Sequence, residues 1–297
     1  MPTDTAGPAV SCLCASVPSR WGLLQRAITD YAAQTYPEKE LVVVVNDANY
    51  ASTVRAWVYA RLGDRPDVKV YDRVFRQHNE AVLHAMAKAA GPYLAAWDDD
   101  NLNLPDRLAV QMGYQRGLPK TLTALEDALY LFHETAELYA VNFQNPAGKP
   151  AERCAPTTLV GHRDLWPEPK ATHRPAAWSA MLNEFASRGV GVTLLGGMWA
   201  SHLVGVRGDN LRGGNAHRAL VAKSPNTRKA AWLAAVRPQL ETAVAAYPFD
   251  AGVRLTVHGA DAIAYELAPT RHWPADLYAV GEPADDGVVR VTETING

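Results

Sequence analysis

An α/β fold is expected, with a mostly parallel sheet flanked by helices and a small C-terminal appendage of helix plus antiparallel strands. Three observations predict it. Strand-like and helix-like segments alternate from Val10 to Trp97, the pattern of strands joined by right-handed helical crossovers. The run Leu41 to Val45 is apolar without alternation, as for a strand covered on both faces. The short apolar stretch Tyr93 to Trp97 then runs straight into Asp98, Asp99 and Asp100, and open α/β sheets place their ligands at strand C-termini.

The elements follow in order. Val10 to Cys14 reads as a strand, followed by the turn-rich loop Ala15 to Arg20. Leu23, Leu24, Ala27, Ile28 and Tyr31 recur with helical spacing up to Gln34. Pro37 interrupts the chain before the strand that runs from Glu40 to Asn46, which Asp47 ends. Ala51 to Leu62 is a second helix, Val68 to Tyr71 a third strand and Asn79 to Ala90 a third helix. The strand into Asp98 is the fourth, entered through Gly91-Pro92.

Beyond the acids, Pro105 opens a helix with Asp106 in its first turn. Leu138 to Phe143 is strand-like and residues 145–156 form a Pro- and Gly-rich loop. Thr157 to Val160 is a short strand, and Ala176 to Arg188 a helix closed by Gly189. Val192 to Leu195 and Leu203 to Val206 are strands, with a loop from Arg207 to His217. A helix spans Thr227 to Tyr247. Alternating runs near residues 253–257, 263–267, 277–280 and 288–291 suggest short antiparallel strands.

Composition narrows the class. The chain has 297 residues, 48% hydrophobic and 20% charged, typical of a soluble globular protein. No apolar run reaches the ~18 residues of a membrane span. The N-terminus lacks the basic and apolar regions of a signal peptide. Cys12, Cys14 and Cys154 are too few for a disulfide framework, so a reduced, cytoplasmic protein is expected. Residues 151–230 are net basic and residues 231–297 net acidic. That asymmetry suits an anionic substrate, or simply charge spread over a large surface.

The acidic stretch carries the chemistry. Three adjacent carboxylates repel one another and need a cation to offset them when buried. On extended backbone Asp98 and Asp100 point the same way and can share one ion. Hard oxygen ligands suit Mg²⁺ or Mn²⁺, which keep positions open for substrate phosphates. The alternative is a solvated acidic loop.

Ser11 to Ala15, then Gln34-Thr-Tyr-Pro37, the buried strand ending in Asp47, and the strand ending in Asp98-Asp-Asp100 followed by Pro105, Arg107, Leu108 and Gln111 together resemble a family 2 glycosyltransferase of the GT-A fold, D-x-D type and nucleotide-sugar dependent. The resemblance covers roughly the first 115 residues. It implies a nucleotide-sugar-binding half over 1–115 and an acceptor-side half over 116–226 within one domain, 1–226, with the α+β appendage at 227–297.

By resemblance, Ala15, Ser16, Pro18 and Arg20 run along the donor nucleotide, and Asp47 accepts from the base, most often uracil. For Asp47 a strand-ending turn residue is the alternative. Asn79 matches an "R-N" motif in which His78 replaces the arginine, with a helix N-cap as the alternative. Asp98 and Asp100 would bind ribose and the Mn²⁺ or Mg²⁺ that bridges the donor diphosphate. His217 would be a late metal ligand, or a solvated loop histidine, and Arg207 and Arg212 would contact phosphate.

One departure stands out. Inverting members place an acidic Glu-Asp pair, the acceptor base, where this chain has about Ala177 and Trp178. Asp164 and Glu184 are the substitute candidates. The expected activity is metal-dependent transfer of a sugar from a nucleoside diphosphate, UDP-sugar foremost, to a hydroxyl acceptor with inversion. That acceptor could be a small molecule, glycan, lipid carrier, protein or modified nucleic acid, and the protein a homodimer. The alternative, motivated by the missing pair, is a non-catalytic nucleotide-sugar-binding or assembly protein. A nucleotidyltransferase ranks last, because the loop after the first strand lacks glycines.

Overall fold

Seven strands in the order β10-β6-β9-β4-β1-β2-β3 form the main sheet. The computed structural model describes residues 9–118, 120–143, 154–166, 177–196, 202–206, 217–219, 221–222, 237–238, 241, 254–259 and 262–267. β1 (Val10–Ser16), β2 (Lys39–Val45), β3 (Val68–Asp72) and β4 (Tyr93–Ala96) are mutually parallel. β9 (Val160–His162) lies antiparallel to both β4 and β6 (Thr121–Leu125). β10 (Gly191–Leu195) pairs with β6 in parallel.

The non-alternating second strand is buried on both faces. Leu41, Val43 and Val45 join a core with Leu24, Ile28, Tyr31 and Val54, from α1 (Trp21–Ala32) and α2 (Ala48–Leu62). Val42 and Val44 join the opposite core with Val82, Ala85, Leu182 and Phe185, from α3 (His78–Lys88) and α5 (Ala177–Ser187). Leu108 and Met112 of α4 (Arg107–Gln115) close the first layer. The expected mixed α/β class, a mostly parallel sheet flanked by helices, is the observed one.

A second, six-stranded sheet runs β13-β12-β8-β7-β11-β5. β7 (Asp127–Phe132) and β8 (Glu137–Asn142) form a hairpin, and β11 (His202–Val206) lies between β7 and the short β5 (Asn101–Asn103). β12 (Leu255–Gly259) and β13 (Ala262–Leu267) pair antiparallel, as expected for that stretch. β12 also pairs in parallel with β8, so this hairpin continues the second sheet. The runs expected at 277–280 and 288–291 lie outside the described residues, as does most of the helix expected over 227–247.

Two differences from the sequence reading have local causes. Thr157 is not in a strand: Pro156–Thr158 is a 3-10 turn, and the strand begins at Val160. Pro156 presets the turn's φ and has no N–H to donate to a ladder, and Thr158 Oγ1 accepts from Leu125 N at 2.9 Å. β6 and β7 were not expected at all. They are separated by Glu126 alone and lie in different sheets, so the chain crosses between sheets without a recognisable turn. Among the described residues no helix is long and apolar enough to cross a membrane.

Candidate active site

The parallel strands end at one edge of the main sheet. Ser16 is in register with Val45, Val45 with Asp72, and Leu13 with Ala96. The segments that follow carry Arg20, Asp47, His78 and Asp98, so residues far apart in the chain meet at this edge. Trp97 fixes where β4 stops. Fully buried, it donates its indole N–H to Ala27 O at 3.1 Å and lies 5.1 Å beneath the Arg107 guanidinium. Arg107 is itself buried and donates to Asn103 Oδ1 at 2.6 Å, Gln111 Oε1 at 3.0 Å and Ala96 O at 2.9 Å. This clamp holds both ends of the acidic turn, because Ala96 precedes it and Asn103 follows it.

Asp99 and Asp100 form a turn, not the extended backbone expected for this stretch. Asp98 Oδ1 accepts from Trp178 Nε1 at 2.5 Å and lies 4.0 Å from His78 Nε2. Asp99 Oδ2 accepts from Ser16 Oγ at 2.7 Å, and its Oδ1 lies 3.2 Å from Arg20 Nη2. Asp100 Oδ2 takes the same Arg20 Nη2 at 2.6 Å, and its backbone carbonyl accepts from Arg26 at 3.0 Å. That carbonyl packs against Gly205 of β11, where a Cβ would stand 2.5 Å from it. Only glycine permits the approach.

The electrostatics follow from burial and crowding. Burial, with the charges of Asp100 and Asp99 beside it, pushes the Asp98 carboxyl up to about 8 despite the Trp178 hydrogen bond. Burial raises Asp99 to about 7, against the pull of Arg20. Burial lowers His78 to about 4, so its imidazole is neutral at pH 7. Arg20 pairs with Asp99 and Asp100 while Asp98 has the neutral Trp178 and His78 beside it, so the turn is short of positive charge. That deficit and the hard oxygen donors fit Mg²⁺ or Mn²⁺. Among the described residues no group of three or more His, Cys, Asp or Glu side chains could hold a metal alone, so the chain would hold such an ion through the turn's carboxylates with its remaining positions open to substrate.

The other expected residues divide. Ser16 and Arg20 are at the turn, and Pro18 opens the exposed 3-10 turn that delivers Arg20. Ala15 instead lies within β1, packed in the core beside Val42 and Val44; its side chain belongs to the strand, not the loop. Asp47 caps α2, accepting from Tyr50 N at 2.7 Å, and is solvent-exposed. Asn79 is buried one residue inside α3, whose N-cap is Gln77, so it does not cap the helix.

Asp164 and Glu184 are not brought to the turn. Asp164 is 84% exposed and follows His162, which pairs with Tyr93 at the opposite end of β4. Five residues of extended chain put it roughly 17 Å from Asp98. Glu184 lies six residues along α5 from Trp178, about 9 Å away along the axis. His217 lies at 6.0 Å from the Tyr130 ring, on β7, two strands from Asn101 in the second sheet. Arg207 and Arg212 lie outside the described residues.

Asp99 and Trp178 were missed as contributors. A run of three acids following a buried strand gave no sign of which one turns inward; the register with Ser16 decides it. Trp178 stands where the resemblance places an acceptor base, and what it does is donate to Asp98. It is buried, edge-on to Trp166 at 6.1 Å and to His78 at 6.5 Å.

Among solved structures, S. aureus TarS 1-349 matches with 12% identity and a TM-score of 0.46, over 66% of this chain and 60% of that one. A mannosyltransferase from Pyrobaculum calidifontis, in complex with GDP-Man and Mn²⁺, matches with 18% identity and a TM-score of 0.48, over 78% and 65%. S. aureus TarS 1-349 in complex with UDP-GlcNAc matches with 12% identity and a TM-score of 0.48, over 80% and 79%. The chain thus spans less than two thirds of the first and second of these. No curated protein matches it. Residues 17–125, less than half of the chain but the part that carries Arg20, Asp47, His78 and the acidic turn, match the family described as Glycosyl transferase family 2.

Proposed function

We propose that this protein is a metal-dependent glycosyltransferase that binds a nucleoside diphosphate sugar, UDP-linked foremost, at the Asp98–Asp100 turn and delivers the sugar to a hydroxyl acceptor with inversion. The observation that carries the reading is the charge-deficient turn at the C-terminal edge of the sheet, inside the segment that matches the glycosyl transferase family. Asp98 and Asp100 would hold a divalent ion there, which would neutralise charge on the departing diphosphate. The chain's own residues do the rest. Trp178 and Ser16 orient Asp98 and Asp99, Asp47 stands at the edge where a base would be read, and Arg20 presents a guanidinium to phosphate. His217, beside the Tyr130 ring, would be a later ligand. The three cysteines are buried, which suits a reduced, cytoplasmic setting.

A second reading is a nucleotide-sugar binder without transfer activity. Trp178 favours it, since the site holds an indole donor where the acceptor's proton would need a base. Calorimetric titration of UDP and GDP with and without Mn²⁺, repeated on Asp100→Ala, tests the donor site. UDP binding that needs metal and is lost in the variant supports it, whereas metal-independent or absent binding of both nucleotides removes it. Incubation of a UDP-sugar with Mn²⁺ then separates the two readings by release of UDP.

A further inference from the structure

Arg20 has two kinds of carboxylate partner. Asp99 is 3% exposed, and its other oxygen is held by Ser16 Oγ at 2.7 Å. Asp100 is 14% exposed and Arg20 15%, and they meet at 2.6 Å. The Asp99 contact is thus sealed inside the protein, while the shorter Asp100 contact opens to solvent. Arg20 is the last residue of a 3-10 turn whose Pro18 and Ser19 are exposed, on the loop that leaves β1 at the binding edge.

A guanidinium on Asp100 Oδ2 and a divalent ion on the same oxygen exclude each other. A guanidinium also bridges anions bidentately and binds phosphate as readily as carboxylate. We propose that Arg20 is a built-in counter-cation that is exchanged on donor binding: it holds Asp100 in the metal-free protein, then passes to the donor diphosphate as the metal takes Asp100. The inference rests on the donor-site reading above and adds a coupling to it. Metal alone must displace Arg20 from Asp100 without bringing an anion for the guanidinium, so it binds weakly. Metal with a diphosphate gives both cations an anion, so the two bind together more tightly than either alone. Asp99 and Ser16 keep the base of the turn in place during the exchange, because their contact is the buried one. Arg26 stays on the Asp100 backbone carbonyl, so the side chain can change partner without moving the turn.

The test is titration of Mn²⁺ alone, UDP alone and each in the presence of the other, on wild-type protein and on Arg20→Gln, with circular dichroism to verify the fold. In wild type, UDP should tighten Mn²⁺ binding by ~10-fold or more, within the usual range of coupling between sites. In Arg20→Gln, Mn²⁺ alone should bind about 5-fold or more tightly than to wild type, and UDP should tighten it by less. Unchanged or weaker Mn²⁺ binding in a folded Arg20→Gln, with wild type still binding Mn²⁺ and UDP, overturns the exchange and leaves the donor site standing. Wild type that binds neither overturns both. Arg20→Lys covers a variant that fails to fold: the shorter side chain stops short of the place where Nη2 meets Asp100, so Mn²⁺ alone should again bind more tightly than to wild type, and equal or weaker binding refutes the proposal.

Discussion

Asp98→Asn should stabilise the metal-free protein at alkaline pH while destroying its metal-dependent donor binding. The Asp98 carboxyl rises from an ordinary 3.8 to about 8 because burial and the charges of Asp100 and Asp99 disfavour ionisation. In the unfolded chain the group ionises near its ordinary value. A folded pKa above the unfolded one means that the native state holds a proton the unfolded state has released. Stability from this group is therefore full below about pH 4 and is lost as pH rises towards 8. The full shift corresponds to on the order of 5 kcal/mol above both values. Asp99 lies in the same field, so removing one carboxylate relieves part of the strain, about 1–3 kcal/mol. The asparagine keeps the shape and still accepts from Trp178. For a chain of this size that is roughly 3–10 °C in Tm. The assay is thermal melting with chelator at pH 5 and pH 8.5, for wild type and Asp98→Asn. The gain should be small at pH 5 and largest at pH 8.5, and Mn²⁺ should raise the wild-type Tm but not the variant's. A difference that does not change with pH, or a variant less stable at pH 8.5, would refute a buried, repelled carboxylate at this position.

Three further outcomes follow from the same geometry. Gly205→Ala forces a Cβ to within 2.5 Å of the Asp100 carbonyl and should cost about 1–3 kcal/mol, read as a lower Tm together with weaker UDP–Mn²⁺ binding, because the turn itself must shift. Trp178→Phe keeps the ring against Trp166 but removes the donor to Asp98; a buried acceptor left without its donor costs about 1–3 kcal/mol, so Mn²⁺ or donor affinity should drop while the far-ultraviolet spectrum is unchanged. Asp164→Asn, by contrast, should leave UDP release from a UDP-sugar at the wild-type rate, since Asp164 is exposed at the far end of β4; a large loss of rate would return it to the candidates for a base.

The core layers were legible because periodicity reports burial directly. Leu41 to Val45 alternate between two cores, and a strand covered on both faces shows as an unbroken apolar run. Helix ends were legible within a residue or two where capping residues mark them, as at Gly189, which takes φ +72° just past α5. The crossing from β6 to β7 carried no such mark, because neither strand alternates and no turn residue separates them.

The sequence by itself determined that a carboxylate cluster closes the fourth parallel strand and that Arg20, Asp47, His78 and Asp98 all follow strand ends, because the order of elements and the parallel pairing of strands are written in local pattern. It could not decide partners among them. That Arg20 joins Asp99 to Asp100, that Ser16 chooses Asp99, and that Trp178 rather than a carboxylate faces Asp98 are contacts between residues 79 to 83 positions apart in the sequence. They depend on the register between strands, on where α5 docks, and on the turn at Asp99–Asp100, whose direction is set by Gly205 on a neighbouring strand. Such distances are fixed only when the sheets close around Trp97 and Arg107, and the burial that raises the Asp98 carboxyl exists only once that core has formed.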